Sequence, residues 1–307
     1  MNVEKVTAKS LLVVGAVHVD DIAHPTQQLV ARASNPVNWT RRVGGVAANA
    51  AFAAKRTRGS NTAVNFSALV GDDATAKQLE QSLTQSGLMV QLARMPNRET
   101  GRYTAIMTHE GELHIGLSDV SLAEEFTVSH LPPIAALQQN TAILMDANLS
   151  ASCLEGIASL AKSNDIQLAA MSVSPIKTRR LSALANQVDL LFCNRREALA
   201  MCPDVPATAP LHALADHLQQ LGFRQFVLTD GQDPLICHST QERHTISVPT
   251  VTATHSVNGA GDALAGATFA AWATGSTLAD AVVEYGLPEA ASIVKGERTA
   301  SPPGDFA

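Results

Sequence analysis

The feature that most restricts how this chain can fold is a repeating alternation. Short, mostly aliphatic runs recur along it: Leu11–Val17, Thr62–Leu69, Ala142–Asp146, Ile166–Val173, Val188–Cys193 and Gln225–Thr229. Each closes on a polar or glycine-containing turn. Stretches of helix-forming composition lie between them, at 74–85, 151–163, 178–186, 196–202 and 210–221. Strands this apolar need cover on both faces, which is the habit of parallel sheets rather than of one-sided antiparallel ones. The alternation therefore predicts an α/β fold, a doubly wound, mainly parallel sheet flanked by helices. With 307 residues, 46% of them hydrophobic, the chain can build one large α/β domain or two small ones.

Sheets of this kind bind ligands beyond the carboxyl ends of their strands, so the turns there carry the candidates. Asp20 follows the first run and reads as a ligand contact or a turn carboxylate. Gly44 and Gly45 precede an Ala-rich helix and let a ligand approach the backbone closely. Asn49, a poor helix former in the first turns of that helix, faces either solvent or a ligand. Asn148 ends the third run, Asn194 to Glu197 opens a helix after the fifth, and Asp230 with Gly231 ends the sixth. Gly259, Ala260 and Gly261 open a helix running through Ala273, with free N–H groups suited to an anion. Asp262 is placed beside that anion to take a proton from a hydroxyl attacking its phosphorus. The competing reading is a glycine turn with an N-capping aspartate. Gly261 is expected at positive φ.

Residues 22–42 read as irregular. Arg102–Met107 and Glu112–Leu117 flank His109-Glu110-Gly111 as a hairpin, and with 22–42 they could form a small separate sheet. Thr104, Ile106, Ile115 and Leu117 alternate and would turn one face toward a ligand. Arg41-Arg42 and Lys177 to Arg180 read as solvated surface.

A net charge of −6, with no Lys/Arg run, argues against nucleic acid as a partner. The four cysteines form no CxxC pair and are expected to be reduced, mostly buried thiols of a cytoplasmic protein. The ten histidines show no metal spacing. The amino terminus does not read as a signal peptide, and no apolar run reaches the roughly 18 residues of a membrane helix.

Taken together and in order, Gly44-Gly45 with Asn49, Asn194-x-x-Glu197, Thr229-x-Gly231 and Gly259-Ala260-Gly261-Asp262 resemble the PfkB (ribokinase-like) carbohydrate and nucleoside kinases almost end to end. Within that family the chain is most similar to pseudouridine kinases. The similarity rests on Ser34-Asn35-Pro36, Gly111-Glu112-Leu113, Leu117-Ser118-Asp119, Asp146-x-Asn148 and Val257-Asn258. The resemblance implies a single ribokinase-like domain over 1–307, with a small β-lid from about 22–42 and 100–118 that also forms a homodimer. It implies ATP- and Mg2+-dependent phosphorylation of the 5′-hydroxyl of a ribosyl substrate, pseudouridine foremost. A ribose- or fructose-type sugar kinase and a non-catalytic sensor are the alternatives. Asp20, Gly44, Gly45, Asn49 and Asn148 would hold the sugar, and Asp119 the base unless it merely ends its strand. Asn194, Thr229, Gly231 and Asn258 would meet ATP, and Glu197 would hold magnesium through water. Gly259, Ala260 and Gly261 would stabilise the phosphoryl group, and Asp262 would be the base. Two departures stand out. Ser256 replaces an aspartate that helps bind an activating monovalent cation in many members, which speaks against such activation. Met171-Ser172 replaces an Asp-Pro pair.

Overall fold

The computed structural model describes residues 8, 10–59, 62–133, 141–251 and 258–301. Its main sheet takes its strands in the spatial order β13-β12-β11-β10-β9-β8-β1-β4-β5. They are β1 (Ser10–Val14), β4 (Ala63–Gly71), β5 (Met89–Met95), β8 (Thr141–Asp146), β9 (Gln167–Met171), β10 (Leu190–Asn194), β11 (Phe226–Asp230), β12 (Asp233–His238) and β13 (Arg243–Ile246). From β5 through β11 every pairing is parallel, and β12 and β13 add an antiparallel edge. The expected doubly wound sheet is present.

Its helices are α1 (Val46–Arg58), α2 (Ala74–Gln85), α3 (Ala151–Ser163), α4 (Pro175–Thr178), α5 (Arg195–Met201), α6 (Leu211–Leu221), α7 (Ala260–Ala273), α8 (Leu278–Asp280) and α9 (Leu287–Val294). The period-two pleat of β1 explains why its run is continuously apolar. Leu11 and Val13 pack into a core with α1, α2 and α7, while Leu12 and Val14 pack into the opposite core with α3, α5 and α6. Local chemistry sets the helix starts. Asp73 accepts from the Ala76 amide at 2.8 Å, and Ser150 accepts from Cys153 at 3.3 Å.

A second sheet, ordered β3-β2-β6-β7, comprises β2 (His18–Pro25), β3 (Val37–Gly44), β6 (Arg102–Met107) and β7 (Leu113–Asp119). The hairpin expectation holds, but the first run does not continue to Val17. It breaks at Gly15, and the chain leaves for the second sheet. There β2 and β3 pair over their whole length, so the two ends of 22–42 (22–25 and 37–42) are strand, and only 26–36 between them is irregular. The sequence reading also missed β5, β12, β13 and the helices after Ser276. The stretch 178–186 begins on the last residue of α4 and continues as a 3₁₀ segment, Arg179–Leu184, not an α-helix.

The contact that positions the site is α1 against α7. Both are built from small residues, so their backbones meet closely: a Cβ at Gly266 would lie 2.1 Å from the Ala50 carbonyl oxygen. This crossing carries Asn49 to the start of α7. All four cysteines are buried free thiols. Among the described residues no helix is long and apolar enough to cross a membrane.

Candidate active site

The carboxyl ends of β1, β8, β9, β10 and β11 lie along one edge of the main sheet, and the start of α7 joins them there. Asp146, at the end of β8, ties this edge together. Its buried carboxylate accepts from the amides of Ala16 (3.1 Å), Ala47 (3.2 Å) and Asn148 (2.9 Å), and from the Asn148 side chain (3.3 Å). It thereby fixes the turn after β1 and the first turn of α1. A Cβ at Gly15 would lie 2.4 Å from the Asp146 carboxyl carbon, so that turn needs its glycine. Sequence reasoning used Asp146 only as a mark of resemblance. A buried polar residue ending an apolar strand was the available signal.

Asn49 donates to Asp262 at 2.9 Å. The environment of Asp262 pushes its carboxyl up to about 6: desolvation raises it most, the Asn49 bond lowers it, and the charges of Asp146, Glu197 and Asp20 raise it further. The side chain still opens to the cleft, where water screens part of that repulsion. At the α7 start the first intrahelical bond is donated by Ala263 to Gly259 at 2.9 Å. The amides of Ala260, Gly261 and Asp262 precede it and present N–H groups with the positive end of the helix dipole.

The two glycines of this start differ. Gly259 has φ of 83°, and a Cβ on it would meet Ala300 at 2.4 Å. Gly261 is exposed, has no positive φ, and a Cβ there would meet nothing within 4 Å. The expectation of positive φ at Gly261 is therefore corrected. That conformation belongs to Gly259, because the chain turns into the helix one residue before it begins.

Gly261 also borders two cavities. One, of about 370 Å³, is walled by Ser172, Asn194, Glu197, Asn258 and Asp262. The other, of about 770 Å³, is more apolar and is walled by Leu235, Val248, Val251, Leu287 and Ala290 among others. Asn194, Thr229, Gly261 and Leu264 line both, so the cavities meet at the α7 start. Gly231 borders the second, with φ of 64°.

Asn194 and Glu197 form a capping box on α5, with bonds of 3.0 and 2.9 Å, and the Ser172 hydroxyl donates to the same Glu197 oxygen. This wall fits a hard cation that keeps its own waters. It offers carboxylate, amide and hydroxyl oxygens, and among the described residues no group of three or more His, Cys, Asp or Glu could cage a metal.

Asp20 lies on β2, with its carboxylate 3.1 Å from His18 Nε2 and 3.5 Å from Arg42 Nε. A Cβ at Gly44 would lie 2.0 Å from an Asp20 oxygen, and one at Gly45 would strike the Ala16 carbonyl at 2.3 Å. Asn148 is buried, and Lys177 donates to its amide oxygen at 3.0 Å. Asp119 is exposed and accepts from the Ser121 hydroxyl at 2.9 Å. Arg41 is exposed, as its solvated-surface reading expects, whereas Arg180 is half-buried, and both arginines also bind inward. Arg41 grips the buried Asp21 at 2.5 and 3.1 Å, and Arg180 reaches the Leu149 carbonyl at 2.8 Å. Arginine behaves this way wherever a fork of donors finds buried acceptors. Ser256 and Val257 lie outside the described residues.

The register of the second sheet also separates the expected ligand-facing stripe from Asp20. Asp20 is opposite Arg42 and Tyr103, whereas Asp21 is opposite Arg41 and Thr104, and Thr104 is opposite Leu117. Thr104, Ile106, Ile115, Leu117 and Asp119 therefore share the face turned away from the Asp20 side. The expected contacts Asp20 and Asp119 therefore lie on opposite faces of this sheet.

Against known proteins, residues 8–302 match the family model described as pfkB family carbohydrate kinase. Among solved structures, a carbohydrate kinase from Agrobacterium tumefaciens is similar at 28% identity, with a TM-score of 0.81 over 97% of this chain and 94% of that one. Ribokinase from Giardia lamblia shares the fold at 17% identity, with a TM-score of 0.79 over 96% and 95%. Adenosine kinase from Anopheles gambiae does so at 21% identity, with a TM-score of 0.76 over 94% and 96%. A search of curated proteins found no match.

Proposed function

This chain belongs to the pfkB family of carbohydrate kinases, and from that premise we propose that it is an ATP-dependent kinase for the 5′-hydroxyl of a ribosyl substrate, pseudouridine foremost. The observation that carries the phosphotransfer reading is the meeting of Asn49, Asp262 and the α7 amides beside Gly261. Asp262 takes the proton of the acceptor hydroxyl as its oxygen attacks the terminal phosphorus, and ADP leaves. Asn49 holds the carboxylate in place. The amides of Gly259, Ala260 and Gly261 stabilise negative charge on the transferring group. Asn194, Thr229, Gly231 and Asn258 border the polyphosphate and nucleotide ribose, and the apolar cavity takes the adenine. Glu197 would hold magnesium through water, and that ion would supply neutralisation of phosphate charge. The second sheet acts as a lid, with Asp20, Gly44 and Gly45 on the acceptor side.

The acceptor is tested by assaying ADP formation with pseudouridine, uridine, adenosine, ribose and fructose. Pseudouridine is expected to give the highest kcat/KM; a win for ribose or fructose moves the protein to the plain sugar kinases. The pointers at 34–36, 111–113, 117–119 and 146–148 support the nucleoside choice.

The raised carboxyl of Asp262 gives a pH prediction. The base works ionised, and its folded-state value lies near 6, so kcat/KM should be level above about pH 7 and fall roughly tenfold per unit below 6. Activity undiminished at pH 5 would remove Asp262 from this role.

The outward face of the lid exposes Trp39 (61%), Leu117 (55%) and Ile115 (45%). Aromatic and aliphatic exposure grouped on one sheet face suits a second copy of the chain. Light scattering is expected to report a dimer, and Trp39→Glu a monomer. A wild-type monomer at micromolar concentration rejects it. The buried reduced thiols suit the cytoplasm.

A further inference from the structure

If the acceptor lies between Asp262 and the second sheet, the register of that sheet decides which of its side chains reach it. His18, Asp20, Arg42, Tyr103 and Ser118 share the acceptor-side face. Among these, Tyr103 is the one large aromatic group. A Cβ added at Gly116 would lie 2.6 Å from the Tyr103 hydroxyl oxygen and 3.2 Å from two ring carbons. The ring thus occupies the space that a side chain at 116 would fill, lying across β7. Gly116 has no positive φ, so its backbone does not demand glycine; the ring does. Tyr103 is half-buried, while Gly116 and Ser118 are exposed. Its hydroxyl makes no hydrogen bond to the described residues.

We propose that Tyr103, laid over Gly116, is a stacking platform for the base of the acceptor and makes this site select nucleosides over free sugars. The proposal rests on the kinase reading only for where the acceptor sits. A planar base gains from an aromatic face, by about five- to a hundredfold in affinity, and does so whatever its hydrogen-bonding edge. A free pentose has no planar face to offer. The competing role is structural, since an aromatic ring over a strand glycine also steadies a sheet.

The test is calorimetric titration of pseudouridine, uridine and ribose into the full chain, with melting curves beside it. Wild type and Tyr103→Phe should bind the nucleosides more tightly than ribose. Tyr103→Leu should weaken the nucleosides about ten- to a hundredfold and leave ribose within about twofold. Gly116→Ala, which pushes the ring aside, should move the nucleosides in the same direction and serves alone if Tyr103→Leu does not fold. The proposal is overturned if neither nucleoside binds more tightly than ribose. It is also overturned if the preference survives both Tyr103→Leu and Gly116→Ala, or if ribose weakens equally. Loss of the preference in Tyr103→Phe would overturn stacking in favour of the hydroxyl. Failure of the kinase reading is a separate result: no ADP from any acceptor while the binding order stands.

Discussion

Asp262→Asn is expected to lower kcat by about 10²–10⁴, the span usually lost with a general base. The substitution keeps shape and keeps an acceptor for Asn49, whose bond to the carboxylate is 2.9 Å. It removes the one property that the proposed chemistry requires, a carboxylate ionised at neutral pH. The fold should tolerate the change. A carboxylate in the first turn of α7 gains about 0.3–1 kcal/mol from the helix dipole, but this one is also crowded by the charges of Asp146, Glu197 and Asp20. Those effects oppose each other, so the melting temperature should move little. ATP affinity, followed by calorimetry, should hold or improve, because a negative charge beside the phosphates is gone. An Asn variant that turns over within a few-fold of wild type would show that another group takes the proton. A variant that neither binds ATP nor melts normally would show that Asp262 is chiefly a helix cap.

The elements most legible in the chain were those with a single physical cause. Helix α2 was expected at 74–85 and is found there, because an N-capping Asp73 and a clear amphipathic period mark it. Strands β1, β8 and β10 are buried on both faces and read directly as apolar runs. What escaped was structure whose signal is shared or diluted. Strand β5 lies at the sheet edge, and Gln91 and Arg94 break its apolar run without a period-two alternation. Strand β13 has four residues, and β12 opens on Asp233-Pro234, which reads as a turn. β2 looked like the tail of β1 because Ala16 and Val17 are buried too. The site was legible as motifs but not as contacts. Asn49 and Asp262 are 213 positions apart, and only the close α1–α7 crossing brings them together. Asp146 looked like a strand end, and its four hydrogen bonds come from three separate segments. The parity of the hairpin could not be read from its own alternation, since only the pairing with β2 shows that its apolar stripe and Asp20 fall on opposite faces.

Gly261→Val is expected to reduce phosphoryl transfer by about 10³ or more while leaving the fold intact, the reverse of what glycine substitutions usually do. The reason is local. Gly261 sits in the first turn of α7 without a positive φ, and a Cβ there meets nothing within 4 Å. No protein atom resists the side chain, and valine is a somewhat better helix former than glycine, so stability should change by less than about 1 kcal/mol. The open space is not idle, however. It is where the two cavities join, bordered by Asn194, Thr229 and Leu264. A branched side chain there covers the α7 amides and separates the two cavities, the proposed adenine slot from the proposed acceptor side. ATP binding should weaken together with turnover, and the melting curve should overlay wild type. Gly259 makes the contrast within the same motif. Its φ of 83° and the 2.4 Å approach of Ala300 to an added Cβ mean that Gly259→Val strains the backbone and the packing together. That variant should melt well below wild type. If Gly261→Val binds ATP normally and turns over normally, the α7 start does not hold the phosphates. If it melts low while its folded fraction keeps full activity, the motif is only a tight turn.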